Sequence, residues 1–141
     1  MIENLEHYFC KEQKVYLENI KYSRLDTLSE TTDELLLNCS DVISATMCGT
    51  DRVQVSVTRK LQFEPNNMFE MEVCFSAILI LDRSKADEIE WEKVNLAEEF
   101  RKNGNFVLGN LMSRVTLLIA QITSSCGQAP LVLPPAIVQK Y

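Results

Sequence analysis

Two neighbouring segments decide the fold of this chain: VQVSVTRKLQFE, residues 53–64, and MFEMEVCFSAILILD, residues 68–82. The first segment has apolar residues at alternating positions, namely Val53, Val55, Val57, Leu61 and Phe63. A strict period of two predicts a strand that is buried on one face. Between the segments, Pro-Asn-Asn at residues 65–67 supplies turn chemistry. We therefore expect two consecutive antiparallel strands here.

The second segment is amphipathic at its start and apolar on both faces at its end. One face carries Phe69, Met71, Val73, Phe75, Leu79 and Leu81. The other face begins with Glu70 and Glu72 and continues through Cys74, Ser76, Ile78 and Ile80. Apolar side chains on both faces favour burial on both faces. This strand is thus expected to have a second apolar surface to cover.

Two earlier strands are predicted upstream of this pair. Residues 15–22, VYLENIKY, form the first, and its apolar positions change phase between Leu17 and Ile20, which fits a β-bulge or a sheet edge. Residues 34–45, ELLLNCSDVISA, form the second. Residues 1–14 are polar and weakly helical, and we expect an N-terminal arm there.

A short and a long helix follow the strands. The short helix is predicted from about Asn95 to Lys102, and Gly104 breaks it. The long helix is predicted over residues 106–125, with Gly127 as its stop. Its only charge is Arg114, so most of its circumference should be buried. One small sheet cannot cover such a helix alone, which indicates a homo-oligomer.

The composition excludes several classes of partner. Twenty acidic and fourteen basic residues give a net charge of −6, which disfavours nucleic acids and anionic membrane surfaces. Polar residues interrupt the long apolar helix, so we expect no membrane insertion. The five cysteines are scattered without a C-x-x-C pair, and the N-terminal residues resemble no signal peptide. A single cytoplasmic domain spanning residues 1–141 is predicted.

No set of residues predicts catalysis. The one histidine, His7, lies in the N-terminal arm without a nucleophile that could be assigned to it, and the four glycines stand apart from one another. Glu70 and Glu72 could be considered an acid–base pair, but a solvated strand face explains them better. The sequence thus predicts neither an enzyme nor a cofactor or metal site.

The order of these elements resembles the SecB family of export chaperones. The similarity covers the chain from about Val15 onward and is strongest in FEMEVCFSAILIL, residues 69–81, and in NLMSRVTLLIAQITSSCGQAPLVLPPAIVQKY, residues 110–141. The second stretch contains a Ser-Arg element in the helix and the P-x-L-x-x-P-like segment that starts at Pro130. The resemblance implies an α+β fold, in which a short and a long helix pack on one side of a four-stranded antiparallel sheet. It also implies a dimer of dimers.

The resemblance further implies a holdase that binds unfolded or precursor polypeptides on exposed apolar surface. The candidate client-binding residues are Cys74, Ile78, Ile80, Leu131, Leu133 and Ile137. The last three belong to an apolar, proline-containing tail, residues 128–141, and sealing of the core by that tail is an equally open interpretation.

Glu70 and Glu72 are the candidates for docking to the SecA translocase motor, as the family implies. Glu72 matches an acidic position of the family, whereas Glu70 stands where an apolar residue is usual, and Lys21 and Arg24 stand where acids are expected. The family's acidic C-terminal extension is not in this sequence. An antitoxin or another dedicated client therefore stays open. The alternative to a chaperone is a non-catalytic domain that holds a small apolar ligand between sheet and helix.

Overall fold

The computed structural model describes residues 2–25, 36–64, 68–125 and 129–138. Within these ranges a 3-10 turn, Leu5–Tyr8, precedes the strands. The strands are β1 (Phe9–Arg24), β2 (Leu36–Met47), β3 (Arg52–Glu64) and β4 (Phe69–Leu81). Two further 3-10 turns, Ala86–Glu88 and Trp91–Lys93, precede the helices α1 (Leu96–Asn103) and α2 (Asn105–Ser124).

The four strands form one antiparallel sheet in the order β1-β4-β3-β2. The two segments with the clearest alternation, β3 and β4, occupy its centre, and β1 and β2 are its edges. The predicted α+β fold is confirmed: the strands are consecutive in the chain and the helices follow them.

The irregularity predicted in β1 is present. Leu17 pairs with Phe75 and Asn19 pairs with Cys74, so Glu18 is the extra residue of a bulge on this edge strand. The prediction for residues 1–14 was wrong in part, because β1 begins at Phe9 rather than at residue 15. Only Phe9 is buried in the stretch from Phe9 to Lys14. Pairing with the end of β4 sets the structure of this stretch, and its own sequence pattern does not show it.

The remaining boundaries lie within two residues of their predictions. Strand β2 runs two residues further than predicted, to Met47. Residues 34–35, the predicted turn at 65–67 and Gly127 lie outside the described part of the chain. Helix α1 begins after Asn95, whose side chain accepts a hydrogen bond from the Glu98 amide at 3.2 Å. A Cβ atom at Gly104 would collide with the carbonyl of Phe100, so the junction between the helices requires glycine.

Helix α2 lies on one face of the sheet, which we call the inner face. Its N-terminal half packs on a cluster that includes Val55, Ala77 and Leu79, and its C-terminal half packs on a cluster around Leu61 and Met71. Trp91 is buried in the first cluster and donates its indole N–H to the Ala86 carbonyl. Helix α2 is also long and apolar enough to cross a bilayer, but the core helix of a globular protein meets the same criteria.

Candidate functional site

The outer face of the sheet, opposite α2, carries three of the predicted client-binding residues. Cys74 is buried, and Ile78 and Ile80 are half-buried along the same face of β4. The centre of this face is polar, because the Ser56 and Ser76 hydroxyl oxygens lie 2.7 Å apart. The outer face therefore combines short polar side chains with a half-buried apolar margin at the end of β4.

The other three predicted residues lie on the inner side, in the C-terminal tail. Leu131 and Leu133 are half-buried against the cluster that contains Val115 and Ile119. Ile137 packs against the cluster at the other end of α2. The structure thus does not bring the six candidate residues together: three lie on the outer face and three help to cover the inner face.

A buried ion pair anchors this tail to the sheet. Arg59 of β3 faces Asp41 of β2 directly across the strands, and both side chains are completely buried. The guanidinium Nε and Nη2 atoms donate to Asp41 Oδ1 and Oδ2, each at 2.8 Å. This bidentate geometry is the strongest form of a carboxylate–arginine contact.

The same pair binds the main chain of the tail. Arg59 Nη1 donates to the Pro134 carbonyl at 3.1 Å, and Nη2 donates to the Ala136 carbonyl at 2.9 Å. The Val138 amide donates to Asp41 Oδ2 at 2.7 Å, and the Asp41 amide donates to the Val138 carbonyl at 3.0 Å. All four bonds use tail backbone atoms, so the anchor does not depend on tail side chains.

Burial and charge act in opposite directions on the groups around this anchor. Burial favours a lower pKa for the Arg59 guanidinium, but the hydrogen bond and the charge of Asp41 outweigh it, so the pKa of Arg59 is raised. The pKa of the neighbouring Cys39 thiol is raised mainly by burial, and the positive charge of Arg59 opposes this shift. Arg59 therefore stays charged and Cys39 stays a neutral thiol at physiological pH.

The two acidic candidates for motor docking lie on the outer face and already have partners. Glu72 lies 3.4 Å from Lys60 Nζ and 3.6 Å from Lys21 Nζ, and its side chain is only 20% exposed. Glu70 accepts a hydrogen bond from Gln62 at 3.2 Å. The lysines on both neighbouring strands thus offset the charge of Glu72.

Several large apolar side chains are exposed outside the predicted set. They are Leu17, Ile20, Leu36, Val42, Leu117, Val132 and Val138. Leu17 and Ile20 flank the bulge of β1, and Leu117 lies on α2 with 61% exposure. Of these residues, Leu17 and Ile20 lie on an edge strand, where exposed apolar side chains favour pairing with another chain.

The sequence analysis did not identify the Asp41–Arg59 pair, although the sequence contains a signal for it. The alternation of β3 places Arg59 on the same face as Val57 and Leu61, which is the buried face. A charge on a buried face requires a partner. Asp41 occupies the equivalent position between Cys39 and Ile43 in β2. The register that joins the two is not visible in either strand alone.

The comparisons with known proteins identify the fold. No family model matches the chain, and no curated protein matches it significantly. Among solved structures, the chain is similar to the SecB-like chaperone Rv1957 of Mycobacterium tuberculosis, solved in complex with a ChAD peptide from the Rv1956 HigA1 antitoxin. The TM-score is 0.66 at 14% sequence identity, and the match covers 92% of each chain. The fold is SecB-like.

Proposed function

We propose that this protein is an ATP-independent holdase chaperone that binds unfolded or nascent polypeptides. The observation that carries the proposal is the match over 92% of the chain to a SecB-like chaperone that was solved with a bound peptide. The exposed apolar residues of β1, β2, α2 and the tail support it, since a holdase must offer apolar surface to its clients. Binding would draw on apolar burial at about 25 cal/mol per Å² over many weak contacts.

We propose a dedicated client, such as an antitoxin segment, in preference to export precursors delivered to the SecA motor. The neighbour Rv1957 holds a peptide from an antitoxin. Docking of a motor at Glu70 and Glu72 would have to compete with Lys21, Lys60 and Gln62 for these carboxylates. A cytoplasmic location fits the free thiols of Cys10, Cys39, Cys48 and Cys74.

A non-catalytic role is part of the proposal. His7 Nδ1 lies 3.3 Å from Lys85 Nζ, and its ring packs edge-on to Tyr8, contacts that need no catalytic role. No group of three or more His, Cys, Asp or Glu in the described ranges could hold a metal ion. The alternative of a domain that encloses a small apolar ligand finds no support in the core, where Val55, Val57 and Leu111 are fully buried by their neighbours.

Suppression of aggregation tests this proposal. The purified protein is added, without nucleotide, to a denatured client that aggregates on dilution, and light scattering is recorded. We expect delayed scattering that depends on the chaperone-to-client ratio, and retention of reduced, carboxymethylated α-lactalbumin, which stays unfolded, on the immobilised protein. Native α-lactalbumin is the matched control and should not be retained. Failure of both readouts would reject the holdase function, and retention of a small apolar molecule in native mass spectra would favour the alternative.

A further inference from the structure

We propose that the groove over the Asp41–Arg59 pair is a sequence-independent polypeptide-binding site, and that residues 129–138 of the tail occupy it until a client displaces them. This inference rests on the proposed holdase function and assigns that function to one surface. The occupant to which we commit is an extended apolar segment of an unfolded chain. The tail itself shows how such a segment would bind.

The hydrogen bonds of the groove involve only main-chain atoms of the bound segment. Arg59 donates to two carbonyl groups, and Asp41 offers one carboxylate oxygen and one amide to the residue at position 138. Every residue of any polypeptide has a carbonyl group, and every residue except proline has an amide. A client segment could therefore make the same four bonds whatever its side chains are, which is the property that a holdase requires.

The apolar contacts of the groove also require no particular sequence. Leu131, Leu133 and Ile137 alternate with exposed neighbours, and they are only half-buried on the two core clusters. The Leu131 amide adds one bond to Thr123 Oγ1 at 2.8 Å. Any segment with apolar residues at a similar spacing could replace these three side chains at a comparable gain from burial.

The ion pair makes the groove stable without an occupant. The two hydrogen bonds between Arg59 and Asp41 lie within the sheet and do not involve the tail. When the tail leaves, the pair keeps its bidentate contact and water can replace the tail's carbonyl groups. An open groove is then an accessible state, whereas an arginine without this carboxylate would have no partner in the same position.

The attachment of the tail to α2 determines how strongly it competes. Only residues 125–128 separate the end of α2 from residues 129–138, and a short tether gives an effective concentration of roughly 1 mM. If the free tail segment binds at roughly 100 µM, the groove is closed about ten times more often than it is open. Removing the tail should therefore strengthen client binding about tenfold.

The test uses four forms of the protein and two probes. The forms are the full chain, a chain that ends at residue 128, Val138→Pro and Val138→Ala. Val138→Pro removes the amide that donates to Asp41, and Val138→Ala keeps that amide while it shortens the side chain. The probes are a fluorescein-labelled decapeptide of the tail sequence APLVLPPAIV and reduced, carboxymethylated α-lactalbumin.

We expect the shortened chain to bind the decapeptide about tenfold more tightly than the full chain does. The affinity of Val138→Pro should lie closer to that of the shortened chain, and the affinity of Val138→Ala should equal that of the full chain. Unfolded α-lactalbumin should compete with the decapeptide. Hydrogen exchange at the Asp41 amide should be faster in Val138→Pro, and bound α-lactalbumin should slow it again. If the shortened chain does not fold, Val138→Pro decides the question by the same readouts.

The outcomes separate this site from the holdase function. If α-lactalbumin binds the full and shortened chains equally and does not compete with the decapeptide, clients bind elsewhere and this proposal is overturned while the holdase function stands. If no form binds α-lactalbumin, the holdase function fails and this proposal fails with it. If only further copies of the full chain displace the decapeptide, the groove joins copies of the protein, and the proposal is also overturned.

Discussion

At the scale of single residues, the Asp41–Arg59 pair stands out because it is fully buried in an otherwise apolar face. Removing two charges from water costs several kcal/mol per ion, and bidentate hydrogen bonds offset much of that cost. A buried pair of this kind is therefore weak evidence for stability as such. Its hydrogen bonds to the tail at Pro134 and Ala136 explain better why a charged pair occupies this position.

The pair should behave as one unit in a double-mutant cycle. Asp41→Leu alone should lower the free energy of unfolding by about 3–5 kcal/mol, because it leaves the Arg59 guanidinium buried without its carboxylate. The double variant Asp41→Leu, Arg59→Met should lose much less than the sum of the two single losses. Urea unfolding monitored by circular dichroism measures these differences.

Arg101→Ala is the matched control for this cycle. Arg101 Nη1 lies 2.8 Å from Glu98 Oε2, but both side chains are at least 40% exposed, so the loss should be about 0–1 kcal/mol. A loss for Asp41→Leu no larger than that of Arg101→Ala would show that the buried pair does not act as described.

At the scale of elements, the sequence predicted whatever depends on local periodicity. The strands β3 and β4, the long helix α2 and the bulge of β1 all follow from the spacing of apolar residues. What it could not show depends on register and on packing between distant segments. The start of β1 at Phe9 and the meeting of Asp41 with Arg59 are set by partners more than 15 residues away in the chain.

The same limit explains the candidate site. Apolar composition identified Cys74, Ile78, Leu131 and Leu133 as surplus apolar positions, but composition does not say on which side of the sheet each will lie. The tail returns to the inner face because Arg59 and Asp41 bind its main chain there. These contacts involve main-chain atoms and do not depend on the side chains of the tail, so no sequence motif in the tail could have predicted its position.

Helix α2 provides a matched pair of leucines that separates its two sides. Leu111 is fully buried against the sheet, whereas Leu117 is 61% exposed. Leu111→Ala should lower the free energy of unfolding by about 2–5 kcal/mol, because it removes buried methyl groups and leaves a cavity. Leu117→Ala should change it by no more than about 0.5 kcal/mol in the dissociated protein. Urea unfolding measures both values, and equal losses would contradict the packing of α2 on the sheet.

At the scale of the whole molecule, the two edges of the sheet differ: the tail contacts the edge of β2, whereas no strand among the described residues pairs with the outer edge of β1. The tail covers the edge of β2 at Asp41, whose amide donates a hydrogen bond to the Val138 carbonyl. Strand β1, 16 residues long, forms the opposite edge and exposes Leu17 and Ile20 beside its bulge. A long edge strand with exposed apolar side chains is a template for pairing with another chain, and two-fold symmetric dimers are the commonest homo-oligomers.

The exposed apolar residues of β1 therefore predict assembly through this strand. We expect sedimentation at roughly 10 µM protein to show two or four chains per particle, since the stability of an assembly depends on protomer concentration. Ile20→Lys should shift the particle toward the single chain, because it places a charge where the edge strands would pair. Ile20 is already 39% exposed, so this substitution should leave the fold intact. Val42→Lys is the control: Val42 is 57% exposed on β2, the opposite edge strand, and its substitution should leave the mass unchanged. A single-chain mass for the unmodified protein would refute assembly. If Val42→Lys dissociates the particle and Ile20→Lys does not, the interface lies at β2, where a second chain would compete with the tail for the same edge.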